Sequence, residues 1–404
     1  MTIYVETGVR KAADSTAIRI IAIWLCGFCP MLGVYATQPL LPGLSMTFHV
    51  TESAAGLTIT ATTLAIAIMA PLIGLLADAV GRKLVIVTAL FGLSIPLALA
   101  ATSNTLNELI LWRFAQGLFI PGVFSITLAY ISEEWSAGDR GWVTSAYVSG
   151  SVFGSVFGRI ISGIVASYFG WHESFLMLSF MLIIGGLLVA FLLPASKNFE
   201  KNLDAVGGMK NLIGLISSGG LLPVWIVAFN TLFVFVGIFT YITFYLTGLP
   251  FLLSATSLSF MFLVNIVGAV FTPFAGRWMD RAGYRKGLLG AVAISVLGVV
   301  LTLCPSIWFI LIGITLVSIG TFVANSAASS HLSMIVGKGK SSAAGLYVGS
   351  YYVGGSVGAV VPGLIFSSEG WLGCVMLFLI ALSCSWLIVI KFWRVPSGAN
   401  QAAS

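Results

Sequence analysis

The chain has 404 residues, of which 58% are hydrophobic and 8% charged, and its formal net charge is +6. A soluble globule carries about 25% charged residues because its surface must be solvated. The 19 basic and 13 acidic side chains are too few for that, so a soluble enzyme, a nucleic-acid binder and a disordered chain are excluded. The solvent of this chain is mostly lipid, and twelve helices of about 20 residues would use roughly 240 positions and leave short loops.

In chain order, the segment to about Arg19 is mixed and polar and lacks the cleavage pattern of a secretory signal. Apolar runs then follow at 18–40, 54–76, 84–103, 107–131, 142–168, 174–194, 222–247, 255–278, 287–304, 306–330, 342–367 and 371–391. Backbone groups in lipid must be satisfied within their own segment, so these runs are predicted to be helices. The polar stretch from Pro194 to Gly220, with Lys197, Glu200, Lys201, Asp204 and Lys210, reads as a linker. The expected organisation is a six-helix bundle at 1–193, a cytoplasmic linker at 194–220 and a second six-helix bundle at 221–404. Cys26, Cys29, Cys304, Cys374 and Cys384 all fall in apolar runs and read as small hydrophobes rather than a disulfide framework.

With both termini in the cytoplasm, all but two of the 19 Lys and Arg residues fall on cytoplasmic segments. The two exceptions, Arg113 and Arg159, lie inside helices. This asymmetry supports the helix count and the orientation together, and it explains the net charge without a nucleic-acid partner.

The two halves also match each other. Gly74, Asp78 and Gly81 align with Gly276, Asp280 and Gly283 at an offset of 202. Gly154, Gly158, Gly163, Ser167, Gly170 and Trp171 align with Gly354, Gly358, Gly363, Ser367, Gly370 and Trp371 at an offset of 200, as Tyr147 does with Tyr347. Parallel six-helix repeats are an architecture of secondary transporters.

Gly74-Leu-Leu-Ala-Asp78-Ala-Val-Gly81-Arg82-Lys83 resembles the loop signature of the major facilitator superfamily, and Gly276–Lys286 repeats it. Leu32 to Pro42, Leu111 to Gly117 and the Gly150, Gly154, Gly158, Gly163 ladder resemble the first-, fourth- and fifth-helix motifs of its drug:proton antiporters. Tyr35 to Pro39, Tyr130 to Glu134 and Gly158 to Gly163 resemble its YnfM-like branch. The chain departs from the antiporter pattern at Arg159, where a proline usually follows the glycine. The resemblance implies an all-α membrane fold in the inner membrane, alternating access, no bound cofactor and a monomer. It also implies that Asp78, with Gly81, Arg82 and the repeated Asp280, latches the second helix against the eleventh.

Glycines four apart bare one stripe of a helix, so Gly154, Gly158, Gly354 and Gly358 are expected to form gating contacts that slide between the halves. An arginine at mid-membrane costs about 2.5–3.5 kcal/mol on insertion scales, so Arg113 and Arg159 are site candidates by default. No Asp or Glu sits mid-helix to pair with them. Two guanidinium groups favour a carboxylate, phosphate or zwitterionic solute, which accepts paired hydrogen bonds. Tyr35, Gln38, Asn230 and Tyr351 are the polar residues expected to join them. His331, Glu133, Glu134 and Glu108 are the groups able to titrate for proton coupling. No GxxxxGK[ST] loop is present, so ATP is not the direct energy source. Proton-coupled efflux of a small organic solute is the leading expectation. Uptake or exchange of an organic anion is the alternative, and a membrane enzyme or receptor is the distant one.

Overall fold

The computed structural model describes residues 2–136, 138–196, 214, 220–336 and 340–393; side chains of residues 2–15, 75, 78, 79, 340 and 341 are not described. Among the described residues, eleven helices are long and apolar enough to cross a membrane. The linker residues 197–213, including Lys197, Glu200, Lys201, Asp204 and Lys210, lie outside the described residues.

The first span departs most from the expected continuous rod. Helix Thr2–Val34 ends inside the apolar run, a 3-10 turn covers Gln38–Leu40, and a short helix resumes at Leu41–Phe48. Pro39 supplies no N–H and pushes the residue before it out of helical geometry, so the helix cannot run through. The second span is likewise two pieces, Glu52–Met69 and Ile73–Val80. The third to sixth spans are Arg82–Ala100, Leu106–Glu134, Arg140–Tyr168 and Trp171–Leu192. The seventh is Leu222–Thr247, the eighth Ala255–Met261 with Val264–Ala282, the ninth Tyr284–Leu301 and the tenth Ile307–Ile335.

The expected eleventh span, 342–367, is divided. Helix Lys340–Gly358 stops, and Val361–Phe392 follows with Pro362 in its first turn. Gly370, at φ 61°, bends that second helix, so residues before it complete the eleventh span and residues after it form the twelfth. The internal repeat is visible in the backbone: Gly81 and Gly283 have φ of 103° and 92°, and Gly170 and Gly370 have 115° and 61°. Side chains disfavour these left-handed values, which accounts for glycine at both members of each pair.

Contacts divide the chain into two compact units. One comprises Met1–Leu40, Leu64–Ala205 and Ala255–Phe260; the other comprises Leu41–Thr63, Val206–Ser254 and Met261–Ser404. The units therefore differ from the two sequence halves in Leu41–Thr63 and Ala255–Phe260. Within the second unit, Thr60 donates to the Ser356 carbonyl at 2.8 Å, Thr63 and Ser356 hydroxyls lie 2.9 Å apart, and Ser53 donates to the Val360 carbonyl at 3.2 Å. These bonds join the second span to the eleventh.

The glycine ladders correct one expectation. A Cβ on Gly150, Gly154 or Gly158 would come closer than 3.0 Å to the carbonyl oxygen of Trp24, Phe28 or Leu32. A Cβ on Gly354 or Gly358 would do the same at Phe229 or Phe233. The ladders therefore seat the fifth span on the first and the eleventh on the seventh, inside each sequence half rather than between the halves. Close backbone approach gives dispersion contact where lipid supplies no hydrophobic force. One glycine of the fifth-span ladder does meet the other sequence half: Gly163 lies against Ser259 and Ala255.

Gly154→Ala is expected to cost about 1–3 kcal/mol, because backbone on both sides must move. Gly290→Ala, with open space around it, should be neutral or stabilising by up to about 1 kcal/mol. Thermal unfolding of the two purified variants checks the contrast.

Candidate functional site

The broken first span leaves carbonyls without helical partners, and each finds one. Arg113 Nη1 donates to the Gly33 carbonyl at 2.7 Å and Nη2 to the Val34 carbonyl at 2.7 Å. Nη1 also donates to Gln116 Oε1, one turn along the same helix. Ser162 Oγ donates to the Ala36 carbonyl at 2.7 Å. The Tyr35 and Thr37 carbonyls accept from the Gln38 and Leu40 N–H groups at 3.0 and 2.9 Å. Helix C-terminal carbonyls carry partial negative charge, so a guanidinium there is stabilised by the helix as well as by hydrogen bonds. Arg113 is fully buried and directed at this break, where it caps the first helix.

The break turns Tyr35 and Gln38 towards the fifth span. Arg159 is fully buried, and its Nε donates to Gln38 Oε1 at 2.7 Å. Its Nη1 donates to the Ser155 carbonyl at 2.9 Å and to Ser155 Oγ at 2.6 Å. The guanidinium carbon lies 4.7 Å from the centre of the Tyr35 ring, in cation–π range. The partners described here are neutral. Tyr35, Gln38 and Arg159 thus come together in one unit, with Arg113 beside them through the same break.

Asn230 and Tyr351 belong to the other unit. Asn230 Nδ2 donates to the Ala381 carbonyl at 3.2 Å and Ser385 Oγ at 3.0 Å, joining the seventh span to the twelfth. Tyr351 stacks on Tyr347 with ring centres 6.3 Å apart. Tyr347 donates to Asn325 Oδ1 at 2.7 Å. Tyr241 donates to the Ala359 carbonyl at 2.6 Å, capping the break in the eleventh span. Two residues that the sequence reading missed, Ser155 and Ser162, hold Arg159 and the first-span break. Their signal was spacing, since Ser155 sits four residues before Arg159, one helical turn away.

At the ends of the spans, Arg82 makes a two-pronged ion pair with Glu133, with Nη2 to Oε1 at 2.7 Å and Nε to both oxygens at 3.2 Å. The third span is thereby tied to the fourth. The side chain of Asp78 lies outside the described residues. Asp280 accepts from the Tyr284 hydroxyl at 2.7 Å. Glu108 completes a capping box with Thr105 at the start of the fourth span. His331 stacks on Trp393 with ring centres 4.0 Å apart.

Long discontinuous helices with charged groups at the breaks, arranged as a repeat, define a polytopic membrane transporter. The sequence model of the Major Facilitator Superfamily matches residues 23–271 and 251–403, and the chain belongs to that family. It is 32% identical over 399 residues to YybF, an uncharacterized MFS-type transporter of Bacillus subtilis, covering 98% of this chain and 99% of that one. It is 28% identical over 354 residues to the inner membrane transport protein YnfM of Escherichia coli, covering 87% and 85%. The crystal structure of the human organic anion transporter MFSD10 superposes with a TM-score of 0.72 at 18% identity, covering 92% and 99%. The chain is an integral membrane transporter and not an enzyme.

Replacing Arg113 by Met would strand the Gly33 and Val34 carbonyls in an apolar interior at about 1–3 kcal/mol each. Arg113→Lys should recover part of that loss, since one ammonium lacks the planar fork that serves both carbonyls. The unfolding midpoints should rank wild type, Lys, Met.

Proposed function

We propose that the protein exports a small organic solute carrying an anionic or zwitterionic group, by alternating access and in exchange for protons. The supporting observation is the Arg159 guanidinium, fully buried and fixed in one orientation by Gln38, Ser155 and the face of Tyr35. A planar cation held in one orientation is suited to a carboxylate or phosphate that accepts two parallel bonds. The likeness of the first-, fourth- and fifth-helix stretches to drug:proton antiporters favours export. Uptake or exchange of an organic anion is the second reading, favoured by the same buried cation. The termini face the cytoplasm of a bacterial inner membrane, as the basic residues indicate, and the monomer is the working unit. Arg113 acts on the solute through the first-span break that it caps. Asn230 on the seventh span and Tyr351 on the eleventh are further polar residues assigned to solute contact. Asp78, Gly81, Arg82 and Asp280 belong to the latch that holds one access state.

Arg159→Ala should abolish solute flux in reconstituted vesicles while the protein stays folded, and Arg159→Lys should restore only part of it. Full flux by the alanine variant would remove Arg159 from the site. The pH gradient that accelerates flux separates the readings: in proton-coupled export the solute moves opposite to the protons, and in proton-coupled uptake it moves with them.

A further inference from the structure

The internal repeat makes the two halves comparable position by position, and one difference lies away from the Arg159 site. In the C-terminal half, Arg285 follows the left-handed Gly283 at the start of the ninth span and donates to the Ile390 carbonyl at 2.8 Å. That bond ties the start of the ninth span to the end of the twelfth. In the N-terminal half the equivalent residues are Lys83, Gly81 and Ala190, at offsets of 202 and 200. A groove of about 370 Å³ is lined by Val80, Arg82, Lys83, Leu84, Ala190 and Ser196, among others.

Three kinds of group meet in that groove. The helix Arg82–Ala100 begins at its mouth with no side-chain cap, so the first-turn N–H groups face outward with partial positive charge. Lys83 adds a full charge and has no ion-pair partner among the described residues, whereas Arg82 is held by Glu133. The Ser196 hydroxyl is buried and lacks a hydrogen-bond partner among the described residues. Below the mouth the walls are apolar, and Val80 and Leu84 are 48% and 58% exposed on a membrane-spanning chain, so that face meets lipid tails.

We propose that this groove binds an anionic phospholipid. Its phosphate rests on the N–H groups at the start of the third span, the Lys83 ammonium and the Ser196 hydroxyl; one acyl chain runs along Val80, Leu84 and Val87. Charge complementarity selects a net-negative headgroup. The apolar wall selects a lipid over free phosphate. In the other half Arg285 occupies the corresponding space, so one such site is expected per chain.

Native mass spectrometry of the full-length protein, released from detergent with dioleoylphosphatidylglycerol or dioleoylphosphatidylcholine, tests the assignment through the most tightly retained lipid. Wild type should retain phosphatidylglycerol in preference to phosphatidylcholine. Lys83→Gln should lower that retention about fivefold, the share one lysine contributes at an anionic lipid surface. Ala195→Trp, which fills the groove from its exposed rim, should lower it as well. Lys286→Gln, in the matching loop of the other half, should leave it unchanged, and millimolar inorganic phosphate should not displace the lipid. Equal retention of the two lipids would overturn the proposal. So would wild-type retention in both Lys83→Gln and Ala195→Trp, an equal loss in Lys286→Gln, or displacement by inorganic phosphate.

Discussion

A carbonyl oxygen inside a membrane must have a hydrogen-bond donor, and this requirement governs the first span. Pro39 breaks the helix where no water is available to solvate the freed backbone. Arg113 and Ser162, from the fourth and fifth spans, then supply donors to Gly33, Val34 and Ala36. The remaining carbonyls of the turn are taken by its own N–H groups. With the carbonyls of Gly33 to Thr37 served, a non-helical turn persists at membrane depth, and it sets Tyr35 and Gln38 against Arg159. Arg113, which caps the break, and Arg159, which binds Gln38 beyond it, are thus coupled through five residues of backbone.

The glycine seams make that coupling rigid. Trp24, Phe28 and Leu32 carbonyls approach the fifth span so closely that a methyl group on Gly150, Gly154 or Gly158 would collide with backbone. The first and fifth spans therefore move as one piece, and the same holds for the seventh and eleventh. Any rearrangement during transport has to occur elsewhere. Hydroxyl contacts such as Thr63 with Ser356 hold through single weak bonds and can exchange partners at little cost, unlike interlocked backbones.

The spans were legible in the sequence because lipid imposes a strong, one-dimensional rule on composition. The repeat was legible because left-handed backbone demands glycine, at Gly81 with Gly283 and at Gly170 with Gly370. The breaks were not. Pro39 and Pro362 are visible as residues, but proline also sits inside intact helices here, as Pro96 and Pro121 do. Whether a helix breaks depends on donors arriving from other spans, which no local pattern encodes. The same limit applied to Arg113 and Arg159. Both read as buried cations of equal standing, yet Arg113 bonds the carbonyls of the first-span break and Arg159 bonds Gln38 and Ser155. The ladders were misassigned to the seam between halves for a related reason: spacing shows that a helix has a bare stripe but not which neighbour fills it.

The two arginines differ in what their surroundings leave undone. Helix-end carbonyls bring about half an elementary negative charge to Arg113. Gln38, Ser155 and the Tyr35 ring orient and solvate Arg159 but bring no formal charge. At an effective dielectric near 20, a carboxylate about 4 Å away would gain about 4 kcal/mol of attraction from such a cation. A neutral solute would gain none of this, so such a cation discriminates by charge before any shape is considered. The Tyr35 face also fixes the guanidinium plane. A planar fork keeps its geometry under that constraint and a lysine ammonium does not, which separates orientation from charge as contributions to binding. The attraction must also be reversible. Polar partners that can bond to a guanidinium in the absence of a solute, as Gln38 and Ser155 do, lower the cost of release, and a carrier depends on release as much as on capture.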